Sequence, residues 1–423
     1  PPTPARNALR RVKIYTPLVV LLGIIFCVVQ GLRPLPDPKL ELGAKKSFAF
    51  EGAKPDFAWP DMGQSAAKVV GAGDVGTYGE QKPVPTASMA KVMTVYVILK
   101  DHPLDPKSFP IKADEQGPMI KVDAQAEKES KSGDESRIKG LVEGKEYSEY
   151  DWLRMTLIPS GNNAARQLAR WDAGSEEAFV KKMNDTAKEL GMTNTVYTDP
   201  SGLQETTKST AVDQVKLAEV AIQNKVIRDI AGQPNAEVAG VEKLYNNNGE
   251  LLIKGTGVLG IKTGSSTPAG GALMWAARRV LDGHEYLIVG TTMDQHFKGL
   301  DPDAANSLSM VLKKSYAQMT AIQKAMTTAK VVKKGDVVGH VSDGLGGTTP
   351  VVATKDVTAV GWPGFETKYS LGDGGHKIPH SAKAGTEVGE LTVGSGPGAV
   401  KVPVALQKDL AEPGFGAKLT RLG

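Results

Sequence analysis

Apolar positions change character several times along the chain. From Ile14 to Val29, and on to Leu32 across Gln30 and Gly31, nearly every position is apolar, and Arg6, Arg10, Arg11 and Lys13 come just before. Nineteen such residues are enough to cross a bilayer as one helix. The basic flank predicts a cytoplasmic N-terminus with the rest of the chain outside. Residues 1–33 are therefore expected to be a basic tail and retained anchor, with a cleaved signal peptide as the alternative. Because the chain begins with Pro1 rather than Met, some sequence is expected to precede it. Residues 34–60, rich in Pro, Lys and Gly, are expected to be a spacer from the membrane.

Between 61 and 325 helical and alternating periods mix. Ser65 opens an alternating stretch that predicts a strand. Pro85 and Thr86 precede Val92, Val95, Tyr96 and Leu99, whose spacing predicts a buried helix. A second helix is expected from Tyr147 to Ile158, with Ser148 and Asp151 at capping-box spacing and Pro159 ending the run. A third begins just after it, through Ala165, Leu168 and Trp171. Val258 to Lys262 reads as a buried strand. Gly271 to Arg279 and Glu285 to Met293 read as two more, joined at Asp282-Gly283, a strong hairpin signal. A helix with Leu308, Val311, Leu312 and Met319 on one stripe is expected to pack on that sheet. After about Thr328 the composition turns to valine, glycine and threonine, predicting a separate β-rich domain over 329–423. Within it, Lys333 to Val341 echoes Lys383 to Leu391 in a Lys-x-Gly-x-x-Val-Gly-x-aliphatic pattern, suggesting a small β-sandwich.

Three short motifs carry candidate chemistry: Ser88-Met89-Ala90-Lys91, Ser160-Gly161-Asn162 and Lys262-Thr263-Gly264. Ser-x-x-Lys alone means little, since roughly two matches are expected by chance in a chain of this length. Three occur. Ser65 and Lys68 lie on a strand, where alternation separates them to opposite faces. Ser136 and Lys139 fall in the charged, glycine-containing stretch Glu127 to Gly144, expected to be an exposed loop or hairpin. Ser88 and Lys91 sit three residues apart at a helix start, so they share a face. The unpaired N–H groups and positive dipole end there disfavour a protonated lysine. A neutral Lys91 could then take the Ser88 proton. Ser160 would sit at a loop tip between helices, and Lys262 on one strand of an antiparallel meander with Gly264 and Ser265 allowing close approach of a ligand.

These segments resemble the serine D-alanyl-D-alanine carboxypeptidase group of low-molecular-mass penicillin-binding proteins, which shares its fold with serine β-lactamases. The similarity extends over Pro85 to Thr94, Gly260 to Ser265 with Ala269-Gly270, Asp199 to Leu203 and Ser209 to Asp213, covering about residues 60 to 320. One departure is Ala90, where the family often has Thr. The resemblance implies an α/β (α+β) catalytic domain over 61–325: an antiparallel sheet flanked by helices plus an all-helical subdomain. It implies Ser88 as nucleophile, Lys91 as general base and Ser160 as proton relay to the leaving amine. Asn162 would orient Lys91 and bind substrate backbone, while Lys262 and Thr263 hold a terminal carboxylate. N–H groups of Ser88 and Ser265 would form the oxyanion hole. The implied reaction removes the terminal D-Ala from peptidoglycan stem pentapeptides without a cofactor, limiting cross-linking, and β-lactams would acylate the same serine. A β-lactamase is the first alternative. In the common class of those enzymes deacylation uses a Glu followed four residues later by Asn, a spacing that occurs between Asn163 and Gly255 at Glu242 and Asn246. A catalytically silent, membrane-tethered wall-binding protein is the other alternative.

Charge and composition narrow the partners. The net charge of +4 is mild and mixed along the chain, with no aromatic-studded basic stripe, so nucleic acid is not expected as a partner. The single cysteine, Cys27, lies inside the apolar stretch and leaves no intrachain disulfide. The six histidines show no metal-ligand spacing, so no metal site is expected.

Overall fold

The computed structural model describes residues 4–131, 133–396 and 399–420. The chain divides into two compact units, one of residues 52–327 and one formed by residues 1–51 together with 328–423.

The 52–327 unit is built on a five-stranded antiparallel sheet in the order Val258–Ser266, Gly270–Leu281, His284–Gln295, Gln64–Val69, Gly73–Tyr78. The expected hairpin is present: Asp282 and Gly283 both have positive φ, as a two-residue turn matching the strand twist requires. Both faces of the sheet are covered by a helix, and Ser65 and Lys68 show how. Ser65 Oγ donates to Gln318 in the Ala305–Ala325 helix, whereas Lys68 pairs with Glu219 in the Ala211–Ala221 helix. The two side chains of this rejected motif therefore do point apart. The stripe that Ala305–Ala325 buries differs from the expected one, because Ser307, Ser315 and Gln318 are buried with Val311, Met319 and Ile322 while Leu308 and Leu312 are only partly covered. The remaining helices, including Ala90–Asp101, Glu149–Leu157, Asn162–Ala173 and Glu176–Glu189, pack into one hydrophobic core that runs on to the sheet. Ser148 caps its helix as expected, its hydroxyl accepting from the Asp151 N–H.

The other unit corrects the spacer expectation for 34–60. Lys39–Leu42 and Ser47–Ala49 are strands, pairing with Val337–Ser342 and Glu366–Gly372 at the two edges of a seven-stranded sheet. Only residues 43–46 separate these two edge strands, a reach of under about 18 Å, so the sheet must curl. The repeat seen in the sequence is structural and longer than the motif. Val337–Ser342 and Glu387–Val393 carry register shifts at equivalent places, before Gly339 and Gly389. The central pair is self-complementary, Val351 opposite Leu406 and Ala353 opposite Val404 around Val352 and Ala405. Two copies of one β unit thus face each other about a local two-fold axis.

Pro4–Leu32 is one continuous helix, and its 27-residue segment Arg6–Leu32 is long and apolar enough to cross a membrane.

Candidate active site

The Ser88 segment is a short 3-10 turn, Ala87–Met89, running into the helix Ala90–Asp101. That helix is buried almost all round, so its lysine has nowhere to go but into the interior. From Thr86 to Val95, Ser88 is the one residue that is not fully buried. The i, i+3 spacing places Lys91 Nζ 2.8 Å from Ser88 Oγ. Two further acceptors hold the same nitrogen, Asn162 Oδ1 at 2.6 Å and the Ser201 carbonyl at 2.8 Å. Burial, reinforced by the nearby Lys262, holds the Lys91 ammonium well below its ordinary range, against the opposing pull of Asp199. A neutral amine has two N–H donors and one lone pair. Asn162 Oδ1 and the Ser201 carbonyl can only accept, so they take the two donors and leave the lone pair for the Ser88 hydroxyl proton.

Ser201 was not among the sequence-derived site residues, although its segment was noted. Its loop is fixed by Asp199, which accepts from Ser201 Oγ at 2.7 Å, the Leu203 N–H at 2.9 Å and Thr207 Oγ1 at 2.7 Å. Thr94, one turn beyond Lys91, donates to the Pro200 carbonyl at 2.6 Å. Gly202 has φ +75° and a Cβ there would stand 1.9 Å from the Ala87 carbonyl oxygen, so only glycine lets this loop lie on the nucleophile turn.

Ser160 occupies the tip between Glu149–Leu157 and Asn162–Ala173. It does not cap the second helix, whose N-cap is Gly161 with no side-chain bond. Ser160 has φ +65°, and its buried hydroxyl has no hydrogen-bond partner among the described residues. A strained backbone and an unsatisfied hydroxyl mark a group kept available for something absent from the protein itself.

Lys262 and Thr263 lie on the edge strand Val258–Ser266, both buried. The Lys262 ammonium donates only to the Thr263 carbonyl, at 3.1 Å, and among the described residues it meets no carboxylate. Burial pushes it down to about 7. Gly264 lays this strand against the Ser88 turn: a Cβ on it would be 2.7 Å from the Thr86 carbonyl oxygen and 3.3 Å from Ala87 Cβ. Ser265 follows, partly exposed, opposite Gly271. The structure thus bonds both Ser88 and Asn162 to Lys91 and lays the Lys262 strand alongside the Ser88 turn.

The stretch Glu127 to Gly144 is largely the exposed loop expected, with Ser136 and Lys139 both exposed, but Glu135, Ser136 and Ile138 also bond to the Ser160–Asn162 segment and the helix after it. Its first part belongs to the helix Ala124–Ser130. The Asn162 N–H donates to the Ser136 carbonyl at 2.8 Å, Asn163 bonds both backbone groups of Ile138, and Asn162 Nδ2 donates to Glu135 at 2.6 Å. Most charges of this stretch are exposed, but two are paired inward: Glu135 and Glu129 with Arg166.

Comparison with known proteins agrees in kind. The family model for D-alanyl-D-alanine carboxypeptidase matches residues 67–289. The chain is similar to a D-alanyl-D-alanine endopeptidase of Pseudomonas aeruginosa, 34% identical over 197 residues, 45% of this chain and 58% of that protein. It is also similar to a D-alanyl-D-alanine carboxypeptidase of Mycobacterium tuberculosis, 32% identical over 200 residues, 46% and 62% of the two. These matches span less than two thirds of the relatives' own length. In fold it resembles the D-alanyl-D-alanine carboxypeptidase of Francisella tularensis (TM-score 0.57, 19% identity, 88% of this chain and 98% of that one). It also resembles penicillin binding protein 5 of Haemophilus influenzae (TM-score 0.57, 20% identity, 82% and 97%).

Proposed function

The chain belongs to the D-alanyl-D-alanine carboxypeptidase family, and on that footing we propose that it is a serine DD-carboxypeptidase acting on peptidoglycan stem pentapeptides. The observation that carries this reading is the Lys91 nitrogen, buried, short of protons and 2.8 Å from Ser88 Oγ. Ser88 Oγ attacks the carbonyl carbon of the terminal D-Ala-D-Ala bond as its proton passes to Lys91. The C–N bond breaks, Ser160 relays a proton to the departing amine, and water then releases the acyl group. N–H groups of Ser88 and Ser265 are assigned to the oxyanion, a role in which one donor is typically worth about 3 to 4 kcal/mol of barrier.

Lys262 supplies the specificity. A buried cation without a counter-ion is most stable when an anion arrives, and a free terminal carboxylate, held with Thr263, provides one. β-Lactams carry a carboxylate in the corresponding place and would acylate Ser88 as covalent inhibitors. The N-terminal helix would anchor the chain with the catalytic unit on the extracytoplasmic side, and the β unit would act as a spacer or wall-contacting module. The Pseudomonas relative's name adds endopeptidase action as a second reading.

The test is release of the C-terminal residue, as D-alanine or D-alaninamide, from a stem pentapeptide with a free or an amidated C-terminus. Release from the free acid alone, lost in Ser88→Ala, supports the proposal. Equal turnover of both peptides would contradict the role given to Lys262, and cleavage only of cross-linked dimers would favour the endopeptidase.

A further inference from the structure

Asn162 makes two side-chain contacts of opposite sense. Its Oδ1 accepts from Lys91 and its Nδ2 donates to Glu135 Oε2, each at 2.6 Å. The two ends of an amide are nearly identical in shape, so their partners decide which way it faces. Lys91 cannot decide it, because a neutral amine can donate or accept. Glu135 can, because a carboxylate only accepts.

Glu135 is itself held in place. Arg166, one helical turn beyond Asn162, grips both its oxygens, with Nη1 on Oε2 at 3.1 Å and Nη2 on Oε1 at 2.6 Å. The same guanidinium donates through Nε to Glu129 at 3.1 Å. Burial works against the Glu135 anion, but Arg166 and Asn162 outweigh it and hold the carboxyl below its ordinary range. It therefore stays ionised, and acceptor-only, at neutral pH.

We propose that Glu135 is a positioning residue for acylation: anchored by Arg166, it fixes the Asn162 carbonyl toward Lys91 and so leaves the Lys91 lone pair directed at Ser88. With Asn162 turned over, an amide N–H would donate into that lone pair. Lys91 could then only donate to Ser88 Oγ, and the serine would keep its proton. The proposal rests on the acyl-transfer reading above, and extends it to residues outside the three motifs.

The test is the second-order rate constant for fluorescent penicillin labelling of the full-length chain, taken from the time course of the fraction that labels, so that misfolded protein lowers only the amplitude. Glu135→Leu removes the acceptor and should slow labelling about thirtyfold, the scale of a hydrogen bond to a charged group. Glu135→Gln can present either end to Asn162 and should fall between Glu135→Leu and wild type. Arg166→Met frees the carboxylate from its anchor and should also be intermediate.

The pH profile separates positioning from bulk structure. Lys91 feels Lys262 and Arg166, which lower its affinity for protons, and Asp199 and Glu135, which raise it. Removing the Glu135 charge should therefore move the acid limb of the labelling rate to lower pH in Glu135→Gln. Wild-type rate constants in Glu135→Leu and Arg166→Met would overturn the proposal. So would a loss confined to amplitude, or a Glu135→Gln variant as slow as Glu135→Leu. A wild type that does not label at all would instead refute the acyl-transfer reading.

Discussion

The two units solve the same folding problem with opposite treatment of charge. In the β unit, described buried polar side chains are limited to Thr349 and Thr367, and the core is valine and leucine. Its acids sit at the surface in repeated roles: Asp356 accepts from the Lys334 N–H and pairs with Lys330, as Asp409 does with Ala384 and Lys383. The catalytic unit buries two lysines, Lys91 and Lys262, and among the described residues neither bonds a carboxylate and the Ser160 hydroxyl has no partner. Desolvated charges destabilise a fold, so their concentration in one place is the physical signature of a site held ready for chemistry.

The comparison is broken most severely at Ser88. Ser88→Ala should abolish penicillin labelling, whereas Asp356→Ala or Asp409→Ala should lower the unfolding temperature slightly and leave labelling unchanged. Lys91→Ala should slow acylation about 10²- to 10⁴-fold, the usual worth of a positioned base. Lys91→Arg should not restore it, because a guanidinium does not give up its proton.

Lys262 gives the next effect. With its ammonium at about 7 in the free protein, it is charged below that pH and neutral above. Affinity for a carboxylate-ended substrate or competitive inhibitor should fall about tenfold per pH unit above 7. An amidated analogue should show no such slope, and an inhibition series across pH 6 to about 9 would show the difference.

The smallest effect is on stability. Burial pushes the Glu149 carboxyl up to about 8, with neither oxygen bonded among the described residues. A carboxyl whose folded pKa lies above its unfolded value binds more protons when folded, so stability falls as pH rises between roughly 4.5 and 8. Glu149→Gln should remove that slope, and its melting temperature should gain roughly 5 °C on wild type between pH 5 and 8.

Local pattern sufficed where each element carried its own signal. The Asp282-Gly283 turn, the Ser148 cap and the Ser88–Lys91 spacing are set by residues close in sequence, and all were legible. What was not legible depends on distant partners. The Ser201 carbonyl reaches Lys91 across 110 positions, and a backbone oxygen has no residue type to betray it. Glu135 lies in a stretch expected to be exposed, and nothing local says that it pairs inward with Arg166. Lys39–Leu42 and Ser47–Ala49 were hidden among prolines and lysines, their partners lying some 300 residues away.

The central claim is that Ser88 is a nucleophile activated by a neutral Lys91. Its most direct test is to incubate the protein with a penicillin across a pH series and locate the adduct by peptide mass. One penicilloyl group on Ser88, formed faster as pH rises through the depressed Lys91 titration, is the predicted result. No adduct, or an adduct on Ser65, Ser136 or Ser160 that survives Ser88→Ala, would contradict it.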